Sequence, residues 1–100
     1  MIKNIESNLG GNIMTVRVEA TPNPNALKFT TDSLIFEGNG SVSVLQGQTS
    51  EHKILNDLMS VEGVDNVFGF QNFITVNKLP DTEWDTLTPK VQEILNGYGY

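Results

Sequence analysis

The chain has no cysteine. That absence excludes disulfides, thiolate nucleophiles, cysteine-built zinc centres and cysteine-ligated iron–sulfur clusters. Its one histidine, His52, leaves most nucleophile–base pairs and metal sites without their usual parts. Bases are scarce: six Lys and Arg stand against twelve Asp and Glu, a net charge of −6. Nucleic-acid affinity rests on Lys and Arg neutralising phosphates, so a nucleic-acid partner is disfavoured. No apolar run approaches the ~18 residues needed to cross a bilayer. The opening Met1-Ile2-Lys3-Asn4-Ile5-Glu6-Ser7 lacks the apolar core of a secretory signal. The expected compartment is therefore cytoplasmic, with no membrane partner. Only four prolines and 38% apolar residues over 100 positions favour one compact domain over disorder.

Residues 1–13 show little periodicity and contain Leu9-Gly10-Gly11-Asn12, which reads as a flexible leader. The domain is expected over 14–97, with a short tail at 98–100. Met14, Val16, Val18 and Ala20 alternate with Thr15, Arg17 and Glu19, the period of a strand with one buried face. Thr21-Pro22-Asn23-Pro24-Asn25 breaks it into a built turn, because each proline fixes φ and each asparagine can bond nearby backbone. Ala26 to Thr30 resumes the strand, with Leu27 and Phe29 on one face and Lys28 on the other. Leu34-Ile35-Phe36 and Val42-Ser43-Val44-Leu45 read as two arms of a hairpin around Gly38-Asn39-Gly40.

Ser50 is a candidate helix cap with Glu51 in the first turn, and Ile54, Leu55, Leu58, Met59 and Val61 form the apolar stripe that follows. Gly63 is the expected stop. Val64 to Phe70 and Phe73 to Lys78 read as strands joined by Gln71-Asn72. Trp84, Leu87, Val91, Ile94 and Leu95 share a narrow helical arc, with Thr82 and Asp85 as a shortened capping box. Pro89 predicts a kink or a fresh turn capped by Thr88, and Gly97 and Gly99 end the helix. The order is β-β-(β-β)-α-β-β-α. This predicts an α+β fold: a single antiparallel-rich sheet with two helices on one face.

Catalytic chemistry finds little support. His52 sits at the polar edge of its stripe, where a half-exposed surface histidine explains it better than a general base. Asp81, Glu83 and Asp85 alternate like a calcium loop, but Thr86 and Gln92 stand where glycine and glutamate are needed. Gly38-Asn39-Gly40 lacks the third glycine of a dinucleotide fingerprint. Phe68 and Phe70 share a strand face, with Phe73 nearby. Core packing is the expected explanation; exposed, they would mark a partner site.

Three stretches together carry a resemblance. Thr21-Pro22-Asn23-Pro24-Asn25-Ala26-Leu27-Lys28-Phe29 resembles the T-P-N-P-N-x-x-K-F signature of the Nfu/NifU-type N-terminal domain. Glu62 to Phe68, then Phe73 to Lys78, is similar to its E-G-V-x-x-V-F and F-I-T-V-x-K strand pair. Trp84 to Pro89, with Val91 and Ile94, resembles its closing W-x-x-L-x-P helix. The resemblance runs from about Thr15 to Leu95 and implies a small α+β domain.

Full-length members of that family join this domain to a second one whose Cys-x-x-C carries an iron–sulfur cluster, and they deliver clusters to apo-enzymes. With no cysteine, no cluster ligand carries over to any position here. The resemblance implies the accessory half: a non-enzymatic protein-interaction module, without metal or cofactor of its own. Its partners would be iron–sulfur assembly or client proteins. Asn23, Asn25 and Lys28 carry over as signature positions and are the candidate partner-binding residues, although backbone bonding within the turn explains both asparagines as well. The alternative is a small metal- or ligand-binding regulatory domain using carboxylates near His52. A monomer is favoured, with weak homodimerisation through open sheet edges as the competing state.

Overall fold

The computed structural model describes residues 16–100. The expected leader over 1–13, and Met14 with it, lie outside the described residues. In chain order the elements are β1 (Arg17–Ala20), β2 (Ala26–Thr30), β3 (Val42–Val44), α1 (Lys53–Met59), β4 (Val64–Phe70), β5 (Phe73–Lys78) and α2 (Trp84–Gly97). The five strands form one sheet in the order β1-β2-β5-β4-β3, and every neighbouring pair is antiparallel. The fold is α+β.

Register decides which face is buried. Leu27 and Phe29 oppose Val76 and Ile74, which in turn oppose Val67 and Gly69. Val44 extends this face at the β3 edge, opposite Val67. The helices supply the other layer, with Ile54, Leu55 and Leu58 from α1 and Leu87, Val91 and Leu95 from α2 joining a single core cluster. Burying each such side chain contributes roughly 1.5–3 kcal/mol. Both helices therefore pack on one side of the sheet, and among the described residues no helix or strand layer covers the other side.

The tight turn between β4 and β5 organises a neighbouring loop. Gln71 adopts φ 52, the left-handed conformation that a two-residue hairpin needs. Its carbonyl accepts from both Ile35 and Phe36 N–H, each at 2.9 Å. Thr31 N–H donates to Asn72 O at 2.8 Å, and Asn72 Nδ2 returns to Thr31 O at 3.0 Å. Leu34-Ile35-Phe36 is thus not a strand, contrary to expectation, because its amides serve this turn rather than a ladder. The expected hairpin around Gly38-Asn39-Gly40 is absent, and only its second arm survives, as β3. Phe36 nonetheless reaches the core and meets the His52 ring edge-on, with centroids 5.1 Å apart.

The helix ends also differ from expectation. α1 begins after His52, and Ser50 Oγ accepts from His52 N–H at 3.0 Å instead of capping the helix. Asn56 pins that approach by pairing with both backbone groups of Ser50. Glu51 therefore precedes the first turn. α1 ends at Met59, before Gly63, which takes φ +102 in the following turn. Thr82 does not form the expected box: Glu83 holds the cap position without a side-chain bond, while the Thr82 side chain packs on Gly63. Pro89 lies inside one continuous helix rather than opening a new turn at Thr88.

Candidate interaction face

The uncovered side of the sheet carries two rows of side chains fixed by the same registers. One row runs Glu19, Lys28, Thr75, Phe68 and Ser43; the next runs Arg17, Thr30, Phe73 and Phe70. Phe73 stands at the centre. Its ring centroid lies 6.1 Å from those of Phe68 and Phe70. Lys28 Nζ sits over the Phe73 ring, 4.3 Å from its centroid. Such a contact at a wet surface is worth about 0.5–1 kcal/mol and keeps the ammonium close to the aromatic patch.

All three phenylalanines are half-buried, and none of them belongs to the core cluster between sheet and helices. The expectation that Phe68 and Phe70 pack in the core is therefore overturned. β4 is apolar on both faces, with Val67 and Gly69 inward and Phe68 and Phe70 outward, so alternation alone could not tell the sides apart. The distinguishing signal is the neighbouring row: Phe68 is opposed by Thr75, and Thr75 by Lys28.

The face is amphipathic along its length. Thr30 Oγ1 donates to Glu19 Oε1 at 2.9 Å, and Arg17 pairs with Asp32 at 2.7 Å. Toward the opposite end, Asn77 Nδ2 donates to Asn66 Oδ1 at 3.0 Å. Among the described residues Lys28 makes no ion pair, so its charge is available to an arriving group. The arrangement offers an aromatic platform bearing one unneutralised cation. It can bury apolar surface and receive a carboxylate.

The three signature positions separate by role. Asn23 Oδ1 accepts from Asn25 N–H at 2.9 Å, closing the turn on itself. Asn25 Oδ1 accepts from Lys78 Nζ at 3.0 Å, and its carbonyl takes the Lys78 N–H at 2.8 Å. Trp84 Nε1 donates to Pro24 O at 3.1 Å, tying the same turn to the start of α2. Thus Asn23 closes the turn, Asn25 ties it to β5 and the Pro24 carbonyl ties it to α2, whereas of the three signature positions Lys28 alone lies in the aromatic face.

The carboxylates give no comparable site. Glu62, Asp81 and Glu83 line an open hollow beside α2, along with Lys90. Among the described residues, no three His, Asp or Glu side chains are grouped so as to hold a metal ion. His52 meets Phe36 rather than a carboxylate cluster. Among those residues, no helix is long and apolar enough to cross a membrane.

Comparison with known proteins agrees with this architecture. Residues 16–99 match the family model described as scaffold protein Nfu/NifU N terminal. A NifU-like protein from Schizosaccharomyces pombe is 38% identical over 82 residues, covering 80% of this chain and 32% of that protein. Conserved virulence factor C from Staphylococcus saprophyticus is 35% identical over 83 residues, covering 81% of this chain and 22% of the relative. The chain thus spans a third or less of these curated relatives. The crystal structure of protein SAV1430 from Staphylococcus aureus superposes with a TM-score of 0.73 at 34% identity, over 82% of this chain and 99% of the other. A NifU-like protein from Saccharomyces cerevisiae shares the fold, with a TM-score of 0.69 at 21% identity over 92% and 84% of the two chains. Motif, fold and family model agree: the chain belongs to the Nfu/NifU scaffold N-terminal family.

Proposed function

We propose that this domain is a non-enzymatic docking module of iron–sulfur cluster assembly, binding protein partners through the uncovered face of its sheet. The observation that carries the reading is the Phe68–Phe70–Phe73 platform with Lys28 over its central ring. A half-buried aromatic cluster outside the core, with a cation over its central ring, favours a macromolecular partner. Family membership supports the choice of partner class: a cluster-carrying scaffold domain or an apo-protein that receives the cluster. The domain itself, without cysteine, supplies shape and charge rather than iron ligands. Its many remaining acids set encounter rate and selectivity toward basic surfaces, while the aromatic platform supplies the contact area.

The test is an amide NMR titration of the isotope-labelled chain with a purified Cys-x-x-C cluster domain of the NifU type, and with an apo iron–sulfur client. Shifts concentrated on Lys28, Phe68, Phe70 and Phe73, lost in the Lys28→Glu and Phe70→Ser variants, are expected. Perturbation confined to the helical side would overturn the reading. So would tight binding of a single-stranded RNA through the same phenylalanines, the other known use of aromatics on an open sheet.

A further inference from the structure

β1 is an edge strand, and all four of its residues are exposed. The expected buried face of Val16, Val18 and Ala20 is formed only at Val16, which is half-buried against the core; Ala20 is exposed and Val18 is 38% exposed. One side of β1 is laddered to β2, and among the described residues no strand pairs with its other side, where alternate backbone N–H and C=O groups point away from the sheet.

We propose that β1 pairs antiparallel with β1 of a second copy of this chain, joining two five-stranded sheets edge to edge. The side chains select the register. In an antiparallel pair, directly opposed residues are both hydrogen-bonding or both not, and these alternate along the strand. A two-fold pairing must therefore centre on a residue. Centring on Arg17 sets arginine against arginine, and centring on Glu19 sets glutamate against glutamate. Centring on Val18 places Arg17 opposite Glu19 of the copy, twice, and stacks Val18 on Val18 and Val16 on Ala20. Opposite charges across strands stabilise and like charges destabilise, so the Val18 register is selected.

The structure already holds both charged groups in place for this contact. Arg17 Nη1 bonds Asp32 Oδ1 at 2.7 Å, with side chains 53% and 58% exposed, so the guanidinium keeps further donors for a second carboxylate. Thr30 Oγ1 orients Glu19 through Oε1 at 2.9 Å, and the other carboxylate oxygen remains to accept. The pairing also covers Val18 and Ala20, which the fold leaves exposed.

Sedimentation equilibrium of the full chain from micromolar to near-millimolar concentration tests the proposal. A monomer–dimer equilibrium is expected, weakened about tenfold or more by Arg17→Glu or Glu19→Arg, each of which puts like charges opposite one another. The charge-swapped double variant R17E/E19R rebuilds both pairs and should restore dimerisation. A chain that stays monomeric throughout, or a double variant no better than either single one, overturns the proposal. Should a variant fail to fold, amide exchange on the unmodified chain decides. Protection at alternate β1 residues that rises with concentration supports the pairing, and protection independent of concentration refutes it.

Discussion

Gly69 and Phe36 occupy one space: a Cβ at position 69 would lie 2.4 Å from Cε2 and Cζ of the Phe36 ring. The bare backbone of β4 is what lets a loop residue lie flat on the sheet. Gly69→Ala should therefore destabilise by about 1–3 kcal/mol through overpacking, and Phe36→Ala by about 3–5 kcal/mol through the cavity it leaves. In the double variant the methyl enters the vacated volume, so the two losses should sum to less than their separate values in urea denaturation. Strict additivity would show that the ring has another place to go.

The turn asparagines and Lys28 should separate cleanly in a paired assay. Asn23→Ala removes the acceptor for Asn25 N–H, and Asn25→Ala removes the acceptor for Lys78 Nζ. Each should cost about 0.5–1.5 kcal/mol of stability, seen as a lower melting temperature. Lys28→Gln sets no like charge against Glu19 and gives up only the ring contact, about 0.5–1 kcal/mol, yet should abolish the docking shifts. If Lys28→Gln lowers melting and leaves the docking shifts intact, the contact of Lys28 with Phe73 is structural.

Pro89 sits in mid-helix with no N–H to give to Asp85 O. Its side chain is exposed, so replacing it disturbs no packing. Pro89→Ala should restore the missing bond and stabilise the domain by roughly 1–3 kcal/mol. A calorimetric melt reads this directly, and a destabilised variant would mean that the proline limits the unfolded chain more than it strains the helix.

A pH effect is expected where the last residues meet α1. Tyr98 Oη donates to Asp57 Oδ2, and Lys53 Nζ lies 3.2 Å from the same oxygen. The tyrosine bond, more than the lysine, holds the Asp57 carboxyl below its ordinary 3.8. The same bond holds the Tyr98 phenol above 10.0. Asp57 therefore contributes stability in full above about 3.8 and loses it as pH falls through the depressed value. Tyr98 contributes below about 10.0 and loses it as pH rises through the raised value. Tyr98→Phe should return the Asp57 titration midpoint toward 3.8, followed by carboxyl carbon NMR. An unmoved midpoint would assign the shift to Lys53.

Periodicity made α1, α2, β4 and β5 legible, because each buries a stripe or face whose spacing survives in the residue string. The Pro-Asn turn was equally readable, since prolines restrict backbone wherever they stand. Leu34-Ile35-Phe36 misled because an apolar triplet looks the same whether it enters a ladder or lays one ring on a sheet; the deciding partner, Gln71 O, is remote in sequence. Phe68 and Phe70 misled for a related reason. Strand alternation names two faces without saying which one the helices cover, and that depends on where α1 and α2 return. β1 shows the converse: an amphipathic pattern formed a strand, but at an edge that the helices do not reach.

The ribbon from Glu37 to Ser41 is exposed throughout, and a side chain begun at Gly38 or Gly40 would meet nothing within 4 Å beyond its own chain neighbours. Extra residues there would lengthen a tether already anchored at Phe36 and β3, and each doubling of such a tether costs only about 0.6 kcal/mol. That stretch is accordingly the natural splice point for an epitope, a fluorophore cassette or an entire guest protein, leaving the host's architecture intact.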